Sequence, residues 1–258
     1  MQDVFFAVRE ELERVHARMS GKYRLKEGNI KDLVRMEEYV ADELYPALVL
    51  LSARIQGKIN MDVEYFAEIF YLIYLSSMIH CDVSEDRPVK GQTRTGQPGP
   101  GDGFQYPVLV GDYLFSKAFE LLVLSGNDRY MAELSEILCS ISRGGIIRNR
   151  TAGGEIRPEV SREIARLERA ELLASCCSMG AKISGADSRC QEILFETGHS
   201  LGMALGMRDM GRPEQAGQYF DRALDLLNGI DDGEDRENLR NVVLFLSGKK
   251  INAKKMVC

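Results

Sequence analysis

The sequence has no tryptophan, three histidines, seven prolines and no long uninterrupted apolar run in 258 residues. Each shortage excludes something. His16, His80 and His199 form neither an HxxxH nor an HExxH pattern, so a zinc centre is not expected. The six cysteines (Cys81, Cys139, Cys176, Cys177, Cys190, Cys258) contain no CxxC pair, and adjacent Cys176–Cys177 is a poor disulfide framework. Buried thiols in a reducing, cytoplasmic protein fit that pattern. The most apolar segment, Tyr65 to Ile79, is too short to span a bilayer and carries Glu68. Acids interrupt the opening MQDVFFAVREELERV, so no secretory signal is expected there. A net charge of −6 lacks the basic face that nucleic-acid phosphates require.

What is present is an ordinary soluble balance, 45% apolar and 28% charged, with apolar residues at helical spacing throughout. Val4, Val8, Leu12 and Val15 share one face of a first helix over 2–19. A second starts after Asn29 and runs through Leu33, Met36, Val40 and Leu44 until Pro46 interrupts it, and an apolar continuation ends at Gly57. Asn60 or Asp62 is placed to cap the next helix, which ends near His80-Cys81-Asp82. Gly91 to Gly103, with five glycines and two prolines, is a loop; lacking a Walker A pattern or a preceding strand, it is not a nucleotide cradle.

Pro107 to Leu124 (PVLVGDYLFSKAFELLVL) has so little polar face that it reads as the central helix, with Gly111 allowing close approach of a neighbour. A helix follows Asn127-Asp128 and weakens or ends at Gly144-Gly145; Arg148 to Pro158 reads as a second loop. Later helices begin at Ser161, cover Cys190 to Met207 and Gln215 to Leu227, and end with Leu239 to Leu246. No convincing strand appears. The expectation is one all-α domain over 1–258, a bundle of about ten helices with 248–258 as a frayed tail.

The stretch VLVGDYLFSKAFELL resembles the helix that trans-polyprenyl diphosphate synthases place at their dimer contact. The resemblance implies the isoprenoid-synthase helical bundle and an interface built on Gly111, Tyr113, Phe115, Phe119 and Leu122. It also implies two aspartate-rich motifs facing each other to hold magnesium, and a basic patch for a homoallylic diphosphate. In place of HDDxxD this chain has His80-Cys81-Asp82-Val83-Ser84-Glu85, followed by a displaced Arg94-Thr95-Gly96. In place of FQxxDDxxD it keeps one aspartate, Asp209, with Arg208 and Arg212 set to repel metals. The vestigial metal and diphosphate positions are therefore Asp82, Glu85, Arg94 and Asp209.

In place of GKRxRP it reads Ala41-Asp42-Glu43-Leu44-Tyr45-Pro46. At ~6 Å and an effective dielectric of ~20, each lost attraction of roughly 3 kcal/mol becomes a comparable repulsion. The mid-chain GExxQ is Gly144-Gly145-Ile146-Ile147-Arg148, and the Lys-Thr pair is Glu168-Arg169.

The apolar scaffold is kept and the charged groups are not, which points to a non-catalytic, regulatory homologue without catalytic residues or a cofactor of its own. Its partner would be a catalytic polyprenyl diphosphate synthase subunit in a heterodimer, with a homodimer as the other assembly. Two readings compete: a weakly active magnesium-dependent prenyltransferase using Asp82, Glu85 and Asp209, and a stand-alone binder of an apolar ligand. Arg143, Arg148, Arg150 and Arg157 could grip an anion or simply face solvent, and His199 reads as a core histidine rather than a base.

Overall fold

A computed structural model describes residues 3–22, 24–25, 28–29, 39–81 and 105–249. Asp82, Glu85, Arg94, the glycine-rich stretch 91–103 and the tail from 250 onward lie outside the described residues. The described chain is all-α, as expected, with ten α-helices: α1 (Arg9–Lys22), α2 (Tyr39–Arg54), α3 (Met61–Cys81), α4 (Gln105–Leu124), α5 (Met131–Thr151), α6 (Pro158–Ala165), α7 (Glu171–Ser184), α8 (Ser188–Asp209), α9 (Pro213–Leu227) and α10 (Glu234–Leu246). A π turn, Arg166–Ala170, joins α6 to α7 without a break. One antiparallel pair two residues long, Arg24–Leu25 with Gly28–Asn29, is a small addition to the strand-free expectation.

The centre of the bundle is α2 and α3, not α4. Every residue of α2 from Leu44 to Ala53 is buried, and α3 is buried without a break from Phe66 to Ser76. Asn60 caps α3, its Oδ1 accepting the Val63 amide at 3.0 Å. Pro46 lies inside α2 instead of interrupting it. The dense apolar packing of both faces outweighs one missing backbone donor.

Helix α7 packs on this pair at very short range, and α8 packs in turn on α7, the π turn and α6. A Cβ on Gly180 would lie 2.1 Å from the Val49 carbonyl oxygen. Gly198, Gly202 and Gly206, one turn apart on α8, likewise meet Leu173, Ala170 and Ala165. Gly144-Gly145 does not end α5, which continues to Thr151. Gly144 is where α5 meets the π turn, a Cβ there falling 2.5 Å from Glu168 Cγ, so the glycine serves a crossing, and the expected second loop is present but shortened to 152–157.

α1 is fastened by a charged ladder. Arg9 Nη1 donates to both Glu43 oxygens at 2.8 Å; Arg14 reaches Glu64, and Arg18 reaches Glu64 and Glu68. All three glutamates are buried.

Candidate functional site

Four elements converge where the resemblance places metal and diphosphate: the middle of α2, the last turn of α3, the π turn, and the end of α8. The π turn aims Arg169 into the gap. Its Nη1 donates to Tyr45 Oη at 2.5 Å and its Nε to Asp209 Oδ2 at 2.9 Å. The guanidinium also lies 5.9 Å from the ring centroid of Tyr74, which stacks on Tyr45 at 4.0 Å and 19°. Burial works against the Arg169 charge, but Tyr45, Asp209 and Tyr74 outweigh it and hold the group cationic. Burial pushes the Tyr45 phenol well up, so it stays neutral.

A second arginine stands beside the first. Arg148, on α5, grips both Glu168 oxygens through Nε, at 3.0 and 3.1 Å, and again through Nη2. That pairing holds the guanidinium above its ordinary range, and Cys81 and Asp209 are close enough to add to the effect. Of the two expected motifs, Cys81 and Asp209 are thus both within electrostatic reach of Arg148.

The remaining charges were expected at the site and are tied elsewhere. Glu43 faces α1 and its charge is matched by Arg9, so it does not repel an anion from an open patch. Arg208 donates to the Leu246 carbonyl at 2.7 Å and lies over Phe220. Arg212 donates to Ser161 Oγ at 3.0 Å and the Ile156 carbonyl at 2.6 Å. The polar contacts of Arg208 and Arg212 are therefore with other parts of the chain than Asp209. Arg143, Arg148 and Arg150 are helical, not loop, residues.

A magnesium ion needs carboxylate oxygens that are free to turn toward it. Here one Asp209 oxygen and both Glu168 oxygens accept from guanidinium groups, and a third ligand position is a thiol, Cys81. Among the described residues no three His, Cys, Asp or Glu side chains gather as a metal-binding group. The described residues do not fit the ion.

α4 carries a different surface. Val110, Gly111, Leu114, Ala118, Leu121 and Leu122 are buried, and the helix packs mainly on α3. A Cβ on Gly111 would lie 2.0 Å from His80 Nε2, and Ser76 Oγ donates to the Gly111 carbonyl at 2.7 Å. Within the chain, Gly111 and Leu122 face its own core. Tyr113, Phe115 and Phe119 are half-buried, and Leu109, Val123 and Leu124 are 63%, 54% and 77% exposed. Among the described residues, this helix, read as central, is covered mainly on the side that faces α3.

The polyprenyl synthetase family matches residues 36–209. The chain belongs to that family. This polyprenyl synthetase homologue is 29% identical over 240 residues to heptaprenyl diphosphate synthase component 2 of Geobacillus stearothermophilus, covering 89% of this chain and 70% of the relative. It is 27% identical over 191 residues to the short chain isoprenyl diphosphate synthase of Methanothermobacter thermautotrophicus, covering 69% of this chain and 57% of the relative. The fold agrees with a Caulobacter crescentus polyprenyl synthase solved with calcium and isoprenyl diphosphate, at a TM-score of 0.78, 19% identity and coverage of 95% and 97%. It also agrees with a chain of mint heterotetrameric geranyl pyrophosphate synthase, at a TM-score of 0.72, 19% identity and coverage of 94% and 99%.

Sequence reasoning recorded Arg148 and Arg169 as losses and did not see that each acquires an acidic partner. The signal was present: an acid and a base replace the Lys-Thr pair at adjacent positions, Glu168 and Arg169. Tyr74 gave no signal, since an aromatic on an apolar helix is ordinarily core.

Proposed function

We propose that this chain is a non-catalytic subunit of a heteromeric polyprenyl diphosphate synthase, pairing through the outer face of α4 with a catalytic relative. The observation that carries the reading is the Asp209–Arg169 pair, which gives the surviving second-motif carboxylate to a guanidinium. The half-apolar face of α4 supplies a surface for the partner. Relatives named as one component of a synthase, and a fold neighbour described as heterotetrameric, support assembly with a second chain.

Co-expression with a complete synthase from the same host tests this. The two chains should co-purify at fixed stoichiometry and turn over isopentenyl and allylic diphosphates, while the isolated chain with magnesium should release no pyrophosphate. Turnover by the isolated chain would overturn the reading, and so would a stable homodimer that ignores every synthase offered.

A further inference from the structure

We infer that Arg148 and Arg169 are built-in counter-ions, replacing divalent cations as the positive charge that holds this end of the bundle closed. The inference deepens the non-catalytic reading and rests on it for the site's ancestry.

The geometry is specific. Arg169 rises from the π turn and ties α8 to α2, through Asp209 on one side and Tyr45 on the other. Arg148 ties α5 to the same turn through Glu168 and lies within electrostatic reach of Cys81 and Asp209, the ends of α3 and α8. Two fixed guanidinium groups thus join the elements that a metal cluster would join through bound ligands. Their charge is matched within the chain: Asp209 and Glu168 each face one arginine. A planar guanidinium suits this role because it spans two partners at fixed angles, as Arg169 does with Tyr45 and Asp209. A divalent ion entering here would have to displace an arginine from its carboxylate and then sit beside that displaced positive charge.

The consequence is a closed site whose stability does not depend on divalent metal. Thermal unfolding of the full chain, in millimolar magnesium and then in EDTA, should give one Tm. A saturable rise of Tm with magnesium would overturn the inference. A double-mutant cycle tests the pairing itself. Arg169→Gln and Asp209→Asn should each lower Tm, Arg169→Gln by about 4–8 °C because it also leaves Tyr45 without its donor. The double variant should fall no further than Arg169→Gln alone, and additive losses would refute the coupling.

If Arg169→Gln does not fold, Arg169→Lys serves instead. It keeps the charge beside Asp209 but not the two-way fork, and its Tm should fall while its indifference to magnesium remains. A lysine variant as stable as the parent would overturn the proposed role of the fork. Partner capture plays no part in these readouts, so failure of the subunit reading and failure of this inference are distinguishable.

Discussion

Placing aspartate at both Leu109 and Leu124 should weaken assembly strongly without unfolding the chain. The two leucines lie near opposite ends of α4 and are 63% and 77% exposed, so the folded chain loses little when they change. Full burial of a leucine is worth about 1.5–3 kcal/mol, and the exposed fractions leave about 1–2 kcal/mol each for a partner to collect. Losing both therefore removes about 2–4 kcal/mol, or roughly a 30- to 1000-fold weakening. Carboxylates left in the contact add a desolvation cost to that figure. Sedimentation analysis of the variant mixed with the synthase measures the dissociation constant, and thermal unfolding checks that the fold is kept. Unchanged affinity at unchanged Tm would refute the assignment of this face. The opposite pattern belongs to Leu114 on the buried side of the same helix, where Leu114→Ala should cost about 2–5 kcal/mol of stability.

Three other outcomes follow from the same structure. Gly180→Ala puts a methyl 2.1 Å from the Val49 carbonyl, a backbone atom that cannot swing aside, and should cost about 1–3 kcal/mol or more by urea unfolding; a variant as stable as the parent would disprove the close approach of α2 and α7. Among the described cysteines, Cys81 and Cys139 are exposed and should alkylate in the native protein, whereas Cys176, Cys177 and Cys190 should react only after denaturation, burial having pushed Cys177 and Cys190 up to about 12 and about 11; mass spectrometry after iodoacetamide reads the difference. Burial lowers the His199 pKa despite Glu171 and Glu196, so its folded form prefers the neutral ring: that stability is present above the unfolded value of about 6.5 and is lost as pH falls through the folded value. His199→Gln should therefore flatten the fall in urea midpoint below about pH 6.5, and an unchanged slope would remove the histidine from the account.

Helical periodicity carried the fold because apolar spacing reports which face is buried, and burial is what holds these helices in place. It failed where one residue's local preference met a tertiary constraint. Pro46 and Gly144-Gly145 are breakers in an isolated helix, yet α2 runs through the first because it is buried all round, and α5 through the second because Gly144 packs on the π turn. It failed differently at α4. A helix apolar all round can be central or can await a partner, and the sequence pattern is the same for both; only the one-sided burial distinguishes them. The site was legible as a set of substitutions, position by position. The pairing was not, since Arg9 with Glu43 spans 34 residues and Arg169 with Asp209 spans 40, separations at which no local pattern links two charges.

Those pairings also bear on how the site could change. At position 43 the family pattern expects an arginine for an anion, and this chain has a buried glutamate matched by Arg9. At position 168 it expects a lysine, and the glutamate found there is matched by Arg148. The surviving aspartate at 209 is matched by Arg169. Restoring the family residue at position 43 or 168 alone would set two like charges side by side: Glu43→Arg beside Arg9, or Glu168→Lys beside Arg148. Like charges brought together in a partly buried place cost stability rather than recover a ligand site. A random loss of ligands would leave isolated orphans, each cheap to reverse. This chain instead has complementary pairs, and a return to metal chemistry would require both members of a pair to change together.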